Sequence, residues 1–245
     1  MKILPFKYEI NKNKTFINEK IIDISPYSCI GIIGKIGSGK STLIKLFVDY
    51  ELQNVGAYDN YNFSAYLSQD LTRLFVGNTL ETIINLYENK SHEIGKHFDK
   101  ELFLKYIDKL ELKIDDKYNR RLIDFSVGEA QRIAIALTSA TVSKIVVFDE
   151  PTTALNNHYL NIFYSIVDEI KKRSKVFIIS HNFLDIIKTS EYILFIDELQ
   201  IKDDFFIEQI IAKDKIMSYF SFYEKYKMKM KGTEKSGKKN NKTEH

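Results

Sequence analysis

One short stretch near the front of the chain, Gly34-Lys35-Ile36-Gly37-Ser38-Gly39-Lys40-Ser41-Thr42, combines the residue types that hold phosphate. Its glycines let consecutive backbone N–H groups turn toward one anion, and a lysine and a hydroxyl follow at the spacing G-x-x-x-x-G-K-[ST]. An apolar run, 29–33, precedes the glycines and a helix-like segment, 43–48, follows them. The loop is therefore expected between a strand and the positive end of a helix, where an anion is favoured. Lys40 is placed to reach the β and γ phosphates of a nucleotide, and Ser41 to ligate Mg²⁺ through its hydroxyl. A second group, Asp149-Glu150, closes the apolar run 145–148. An acid at the carboxyl end of a buried strand stands where open α/β sheets place their ligands. Asp149 can hold hydrated Mg²⁺, and Glu150 can orient and deprotonate a water for attack on the γ phosphate. Alone, such a run reads as a strand ending in a turn. Paired with the glycine loop it supports a P-loop nucleotide hydrolase, with GTPase, helicase, kinase and transporter motor all still open.

Elements able to position these groups are visible along the chain. Runs rich in β-branched residues at 29–33, 62–67, 145–148, 176–179 and 192–196 alternate with helix-length segments, the pattern of a parallel sheet buried on both faces. Ala130, Ile133, Ala134 and Leu137 recur at helical spacing, as do Leu160, Phe163, Ile166, Val167 and Ile170. The expected architecture is α/β, helices on a mostly parallel sheet. Two N-terminal runs, 3–10 and 16–24, flank a turn-like 11–14 and read as an antiparallel hairpin. No repeat of 20 to 50 residues is visible.

With 245 residues, 44% hydrophobic and 28% charged, the composition excludes a wholly disordered chain. No apolar run approaches the roughly 18 residues of a spanning helix, and the opening MKILPFKYEI has no signal-peptide core. Cys29, the single cysteine, cannot form an internal disulfide or a multi-cysteine metal site, which suits a reducing cytosol. The net charge of +3 is unevenly spread: residues 224–245 hold eight lysines against three glutamates, +5, leaving −2 on residues 1–223. That lysine-rich tail lacks the apolar surface to offset its ordering entropy and is expected to be disordered; it is a solubilising end or a contact for anionic lipid. Before it, Ile210, Ile211, Met217, Phe220, Phe222, Tyr223 and Tyr226 read as a packed helix. Nothing in this balance supports nucleic-acid binding.

The order of further elements resembles the ATP-binding cassette (ABC) family, over roughly residues 3–200. Gln69 in AYLSQD stands where that family has its Q-loop, and Phe125-Ser126-Val127-Gly128-Glu129-Ala130-Gln131-Arg132, ahead of a helix at 133–140, stands at its LSGGQ signature. Pro151-Thr152-Thr153-Ala154-Leu155-Asn156 follows the acid pair like a D-loop, and His181 in IISHN ends a strand like the switch histidine. Tyr8 stands ahead of the glycine loop where an aromatic stacks on adenine, although packing serves a tyrosine there equally well. The resemblance implies ATP and Mg²⁺ as ligands, with Gly34 to Thr42 binding phosphate. It makes Glu150, His181 and Gln69 catalytic, and gives the metal Ser41, Gln69 and Asp149. Ser126, Gly128 and Glu129 are implied to close over a second cassette's ATP in a head-to-tail dimer. It further implies one cassette domain over 1–223 with a helical subdomain at about 79–140, at the cytoplasmic face of a membrane beside separate membrane subunits.

Three departures from the family pattern point to an asymmetric heterodimer. Val127 replaces a glycine, and β-branching disfavours φ > 0. Glu129 replaces glutamine and sets a carboxylate against a polyanion; Asn156 replaces the usual aspartate. The segment from Gln69 to Phe75-Val76-Gly77-Asn78-Thr79 is similar to the ATPases of energy-coupling-factor and cobalt-type importers, which favours import of a vitamin or metal ion over export. A soluble cassette without a transporter and a binding regulator without turnover are the rivals of another class.

Overall fold

The computed structural model describes residues 1–48, 64–71, 79–93, 97–114 and 119–212. The lysine-rich tail, the aromatic stretch beyond 212 and the segment Phe75-Val76-Gly77 lie outside these residues.

The strands are β1 (Lys2–Ile3), β2 (Phe6–Asn11), β3 (Lys14–Asn18), β4 (Ile22–Asp23), β5 (Cys29–Ile33), β6 (Ser64–Leu67), β7 (His97–Phe98), β8 (Thr141–Val142), β9 (Ile145–Asp149), β10 (Lys175–Ile179), β11 (Tyr192–Asp197) and β12 (Gln200–Phe206). The helices are α1 (Lys40–Val48), α2 (Leu80–Glu93), α3 (Lys100–Lys109), α4 (Val127–Ala140), α5 (Asn157–Ile170) and α6 (Phe183–Thr189). One eight-stranded sheet runs β2-β3-β12-β11-β5-β10-β9-β6, and its five central-to-edge strands β11, β5, β10, β9 and β6 are mutually parallel.

Alternation along each strand explains why both faces are dry. Val146 and Phe148 of β9 and Val176 and Ile178 of β10 face the core shared with α4, α5 and α6. Their neighbours Ile145, Val147, Phe177 and Ile179 face the opposite core, which α1 closes with Leu43, Ile44 and Leu46. Continuous apolar runs are what a sheet covered on both sides requires.

The expected parallel strands are all present, and so is the hairpin, as β2 and β3. Rather than standing apart, this hairpin joins the main sheet through the parallel pair Gln200↔Ile17. Strand β12, QIKDDFF, carried no clear apolar pattern and is found only through its antiparallel register with β11. Helix α4 begins at Val127, earlier than the periodicity from Ala130 or the helix expected at 133–140 after the signature, so the signature residues form its first turn. No described helix is long and apolar enough to cross a membrane.

Candidate nucleotide site

The phosphate loop occupies the turn from β5 into α1, as its sequence requires. Gly34, Gly37 and Gly39 have φ of 154°, 77° and 110°, which turns the backbone into a concave path that side-chain-bearing residues disfavour. Two of the three also lack room: a Cβ on Gly34 would lie 2.0 Å from the Ile196 carbonyl oxygen, and one on Gly39 would lie 2.7 Å from the Phe16 ring. The loop is thus moulded against β11 and the β2–β3 hairpin. A backbone bond from Leu199 N–H to Ser38 O, 2.9 Å, fixes it from the same side. Lys35 and Ile36 project outward, Ile36 at 91% exposure, whereas Ser38 is buried.

Lys40 is buried and its ammonium donates to the carbonyls of Gly34 and Lys35, both at 2.8 Å. Burial pushes its pKa down, opposed by the charges of Glu150 and Asp149. The ammonium therefore sits inside the cradle of carbonyls that phosphate oxygens would join. Ser41 Oγ donates to Asp149 Oδ2 at 3.3 Å, and Tyr66 OH donates to the same oxygen at 3.1 Å. Ser41 and Asp149 are oxygen donors of the kind a hard cation takes, next to that cradle. Burial raises the Asp149 pKa, against these hydrogen bonds and Lys40. Tyr66 is a contact that the sequence reading missed; only the parallel register Tyr66↔Val147 places it beside β9.

Glu150 stands just past β9 with φ 51°, held by its own N–H bonded to Ile179 O at 2.9 Å. Its pKa is pushed up to about 7, chiefly by burial, with the nearby Asp149 charge adding and the His181 backbone N–H opposing. That N–H lies 3.3 Å from Oε2, and the His181 ring Nε2 lies 3.5 Å from Oε1. Burial, and then the charge of Lys40, lower the His181 pKa, so the ring is held neutral near pH 7. A carboxylate with a near-neutral pKa and an adjacent imidazole is suited to accept a proton from water.

The fold brings Lys40, Ser41, Asp149, Glu150 and His181 to one edge of the sheet, because β5, β9 and β10 are parallel neighbours whose carboxyl ends coincide. Gln69 stands exposed two residues beyond β6, at the same edge because Leu67 pairs with Phe148. Thr42 follows Ser41 in α1, half-buried. Tyr8 is half-buried on β2 opposite Phe16, whose ring underlies Gly39, so the hairpin sets it on the element abutting the loop.

The signature lies at the start of α4, bonded elsewhere. Ser126 caps the helix, accepting from Glu129 N–H at 3.2 Å, while the Glu129 carboxylate accepts from Ser126 N–H at 3.0 Å and Ser126 Oγ at 2.9 Å. This capping box gives Glu129 a partner within its own helix, a different role from the free carboxylate read from sequence. Val127 is 73% exposed and is the first residue of the helix, so its β-branching meets no positive φ. Gly128 fits against the Ala154 carbonyl, 3.3 Å from where a Cβ would stand. Gln131 donates to Pro151 O at 2.7 Å, and Asn156 caps α5. The signature helix is thus fastened to the loop that follows Glu150.

A family model described as "ABC transporter" matches residues 18–153. A transport/processing ATP-binding protein for lacticin-481/lactococcin-DR from Lactococcus lactis subsp. lactis is 28% identical over 83% of this chain and 30% of that protein. An ATP-dependent lipid A-core flippase of Vibrio vulnificus (strain CMCP6) is 27% identical over 87% of the chain and 39% of its own length. The phosphate import ATP-binding protein PstB of Mycoplasma genitalium is 24% identical over 86% of the chain and 70% of its length. The chain thus spans about a third of the first two relatives. Among solved structures, a bacterial Atm1-family ABC exporter with ATP bound aligns with TM-score 0.68 at 17% identity over 92% of the chain and 41% of its own, a likeness of fold. With the matched model covering more than half of its length, the chain belongs to the ABC transporter family.

Proposed function

We propose that this cassette binds ATP with Mg²⁺ on the loop Gly34 to Thr42 and hydrolyses it to ADP and phosphate to drive transport through membrane-spanning partners. The observation that carries this reading is the convergence of Lys40, Ser41, Asp149, Glu150 and His181 at one sheet edge. Lys40 would leave the Gly34 and Lys35 carbonyls for the phosphates, and Ser41, Asp149 and Gln69 would hold the metal. Mg²⁺ would neutralise phosphate charge. Glu150 takes the proton of the attacking water, and His181 donates a hydrogen bond to the γ phosphate as charge develops there. Tyr8 would offer its ring to adenine.

A second cassette completes the site, its Ser126–Glu129 region facing the nucleotide of the first. With Val127 at helical φ and Glu129 in its capping box, Asn156 in place of the usual aspartate is the departure that still favours a different chain as that partner. Export is the better-supported direction, given the lipid A-core flippase among the relatives. Import is the second reading, supported by the Gln69–Thr79 spacing and by the relative named for phosphate import.

Glu150→Gln tests the reading. The variant is expected to lose turnover while retaining ATP and, together with its partner cassette, to form an ATP-locked dimer visible by native mass spectrometry. Turnover at the unsubstituted rate would sink the assignment, and a locked homodimer would count against the heterodimer. Affinity isolation from membranes then identifies the spanning partner.

A further inference from the structure

Asp185 is fully buried in the first turn of α6 and is not among the residues assigned above to phosphate, metal or the attacking water. Four donors from three segments converge on its carboxylate. The hydroxyls of Thr152 and Ser180 donate to Oδ2 at 2.5 and 2.7 Å. The Tyr164 hydroxyl and the Asn182 amide donate to Oδ1 at 2.7 and 3.3 Å. The two oxygens of a carboxylate offer about four lone-pair sites, so these donors match its capacity.

Where the donors come from gives the cluster its meaning. Thr152 lies two residues after Glu150, and Ser180 immediately precedes His181. These two loops are otherwise joined by the backbone bond from Glu150 N–H to Ile179 O and by the 3.3 to 3.5 Å contacts between the Glu150 carboxylate and His181. Tyr164 ties the same carboxylate to α5, and Gln131 holds Pro151 from the side of the signature helix. Buried networks with every acceptor met hold their members rigidly, and losing one donor loosens the rest.

We propose that Asp185 is a positioning residue for hydrolysis: its carboxylate clamps the loop after Glu150 to the loop before His181 and so sets the spacing of those two side chains. Asp185 acts in this way only if the site hydrolyses ATP, as proposed above. The clamp leaves phosphate binding to Lys40 and the glycine loop, so loosening it slows chemistry without weakening ATP binding.

Thr152→Val removes one donor at nearly constant shape, and Thr152→Ser keeps it; Ser180→Ala removes the second donor. Turnover, KM for ATP and amide hydrogen exchange across 150–156 and 179–182 are measured on the full chain. Because a displacement of about 1 Å can cost about a hundredfold, Thr152→Val is expected to lower kcat by about tenfold or more with KM within about twofold, and Thr152→Ser to restore it. Exchange should rise in 179–182 as well as in 150–156, and Thr152→Val with Ser180→Ala should cost less than the two single effects combined. Unchanged kcat in Thr152→Val, or a KM that rises as kcat falls, overturns the clamp. If the unsubstituted chain turns over no ATP even with its partner cassette present, the ATPase reading fails by itself. Exchange then still decides the clamp, which falls if Thr152→Val leaves 179–182 as protected as before.

Discussion

Glu150 gives the site its pH dependence. Its folded pKa of about 7 lies above the ordinary value of 4.5, so the folded protein holds a proton there that the unfolded chain has released. The sign follows from linkage: the contribution to stability is fully present below about pH 4.5 and is lost as pH rises through 7. Above pH 7 the buried carboxylate is a cost, and Glu150→Gln removes it. Unfolding by denaturant is therefore expected to show the variant more stable than the parent by about 1–3 kcal/mol at pH 8.5, with the difference shrinking toward zero near pH 4.5. An equal difference at both pH values would show that burial does not perturb this group. Turnover of the parent should fall as pH drops below about 7, since the base must be unprotonated to accept the water proton.

At the scale of elements, two junctions do most to hold the site. The turn from β5 into α1 admits no side chain at its first position, where a Cβ would meet the Ile196 carbonyl at 2.0 Å. Gly34→Ala must push β11 and the loop apart, and is expected to destabilise the protein by about 2 kcal/mol or more and to abolish ATP binding, checked by thermal unfolding with and without nucleotide. The other junction is the start of α4, where Ser126 and Glu129 cap each other's backbone. Ser126→Ala should cost about 1 kcal/mol of stability in the absence of any nucleotide. A loss seen only when ATP is present would mean that the serine serves the ligand and not the helix.

For the molecule as a whole, a ligand bound only by the folded state adds stability by mass action. At ATP with Mg²⁺ a hundredfold above its dissociation constant, the gain is about 2.7 kcal/mol. Lys40→Ala should lose that gain, because the ammonium cradled by Gly34 and Lys35 is the cation offered to the phosphates. Chelating the metal should reduce the gain as well, since Ser41 and Asp149 would then face each other without the ion between them and the phosphates. Differential scanning fluorimetry across an ATP series checks both. The two-sided core makes this coupling global: the strands that end in Asp149, Ile179 and Ile33 are the ones buried by all the packed helices.

The sequence by itself determined which residue types stand ready for chemistry and which strands form the core. Glycine, lysine and serine at fixed spacing, an acid pair closing an apolar run, and a histidine after another are local facts, and local steric and polar preferences suffice to read them. It also determined the parallel strands, since a strand covered on both faces leaves an unbroken apolar run. What the tertiary structure alone decided is the company each residue keeps. Strand β12 is too polar to declare itself and exists through its register with β11. Tyr66 reaches Asp149 only because β6 lies beside β9. Glu129 read as a carboxylate awaiting a polyanion, yet S-x-x-E at a helix start closes on itself, a pattern that becomes visible once α4 is known to begin at Val127. Asp185 reads as an ordinary helix residue, and besides the nearby Ser180 and Asn182 its donors are Thr152, from the loop after Glu150, and Tyr164, from α5. Hydrogen-bond partners and burial depend on which segments the fold brings together, and no window of sequence contains that information.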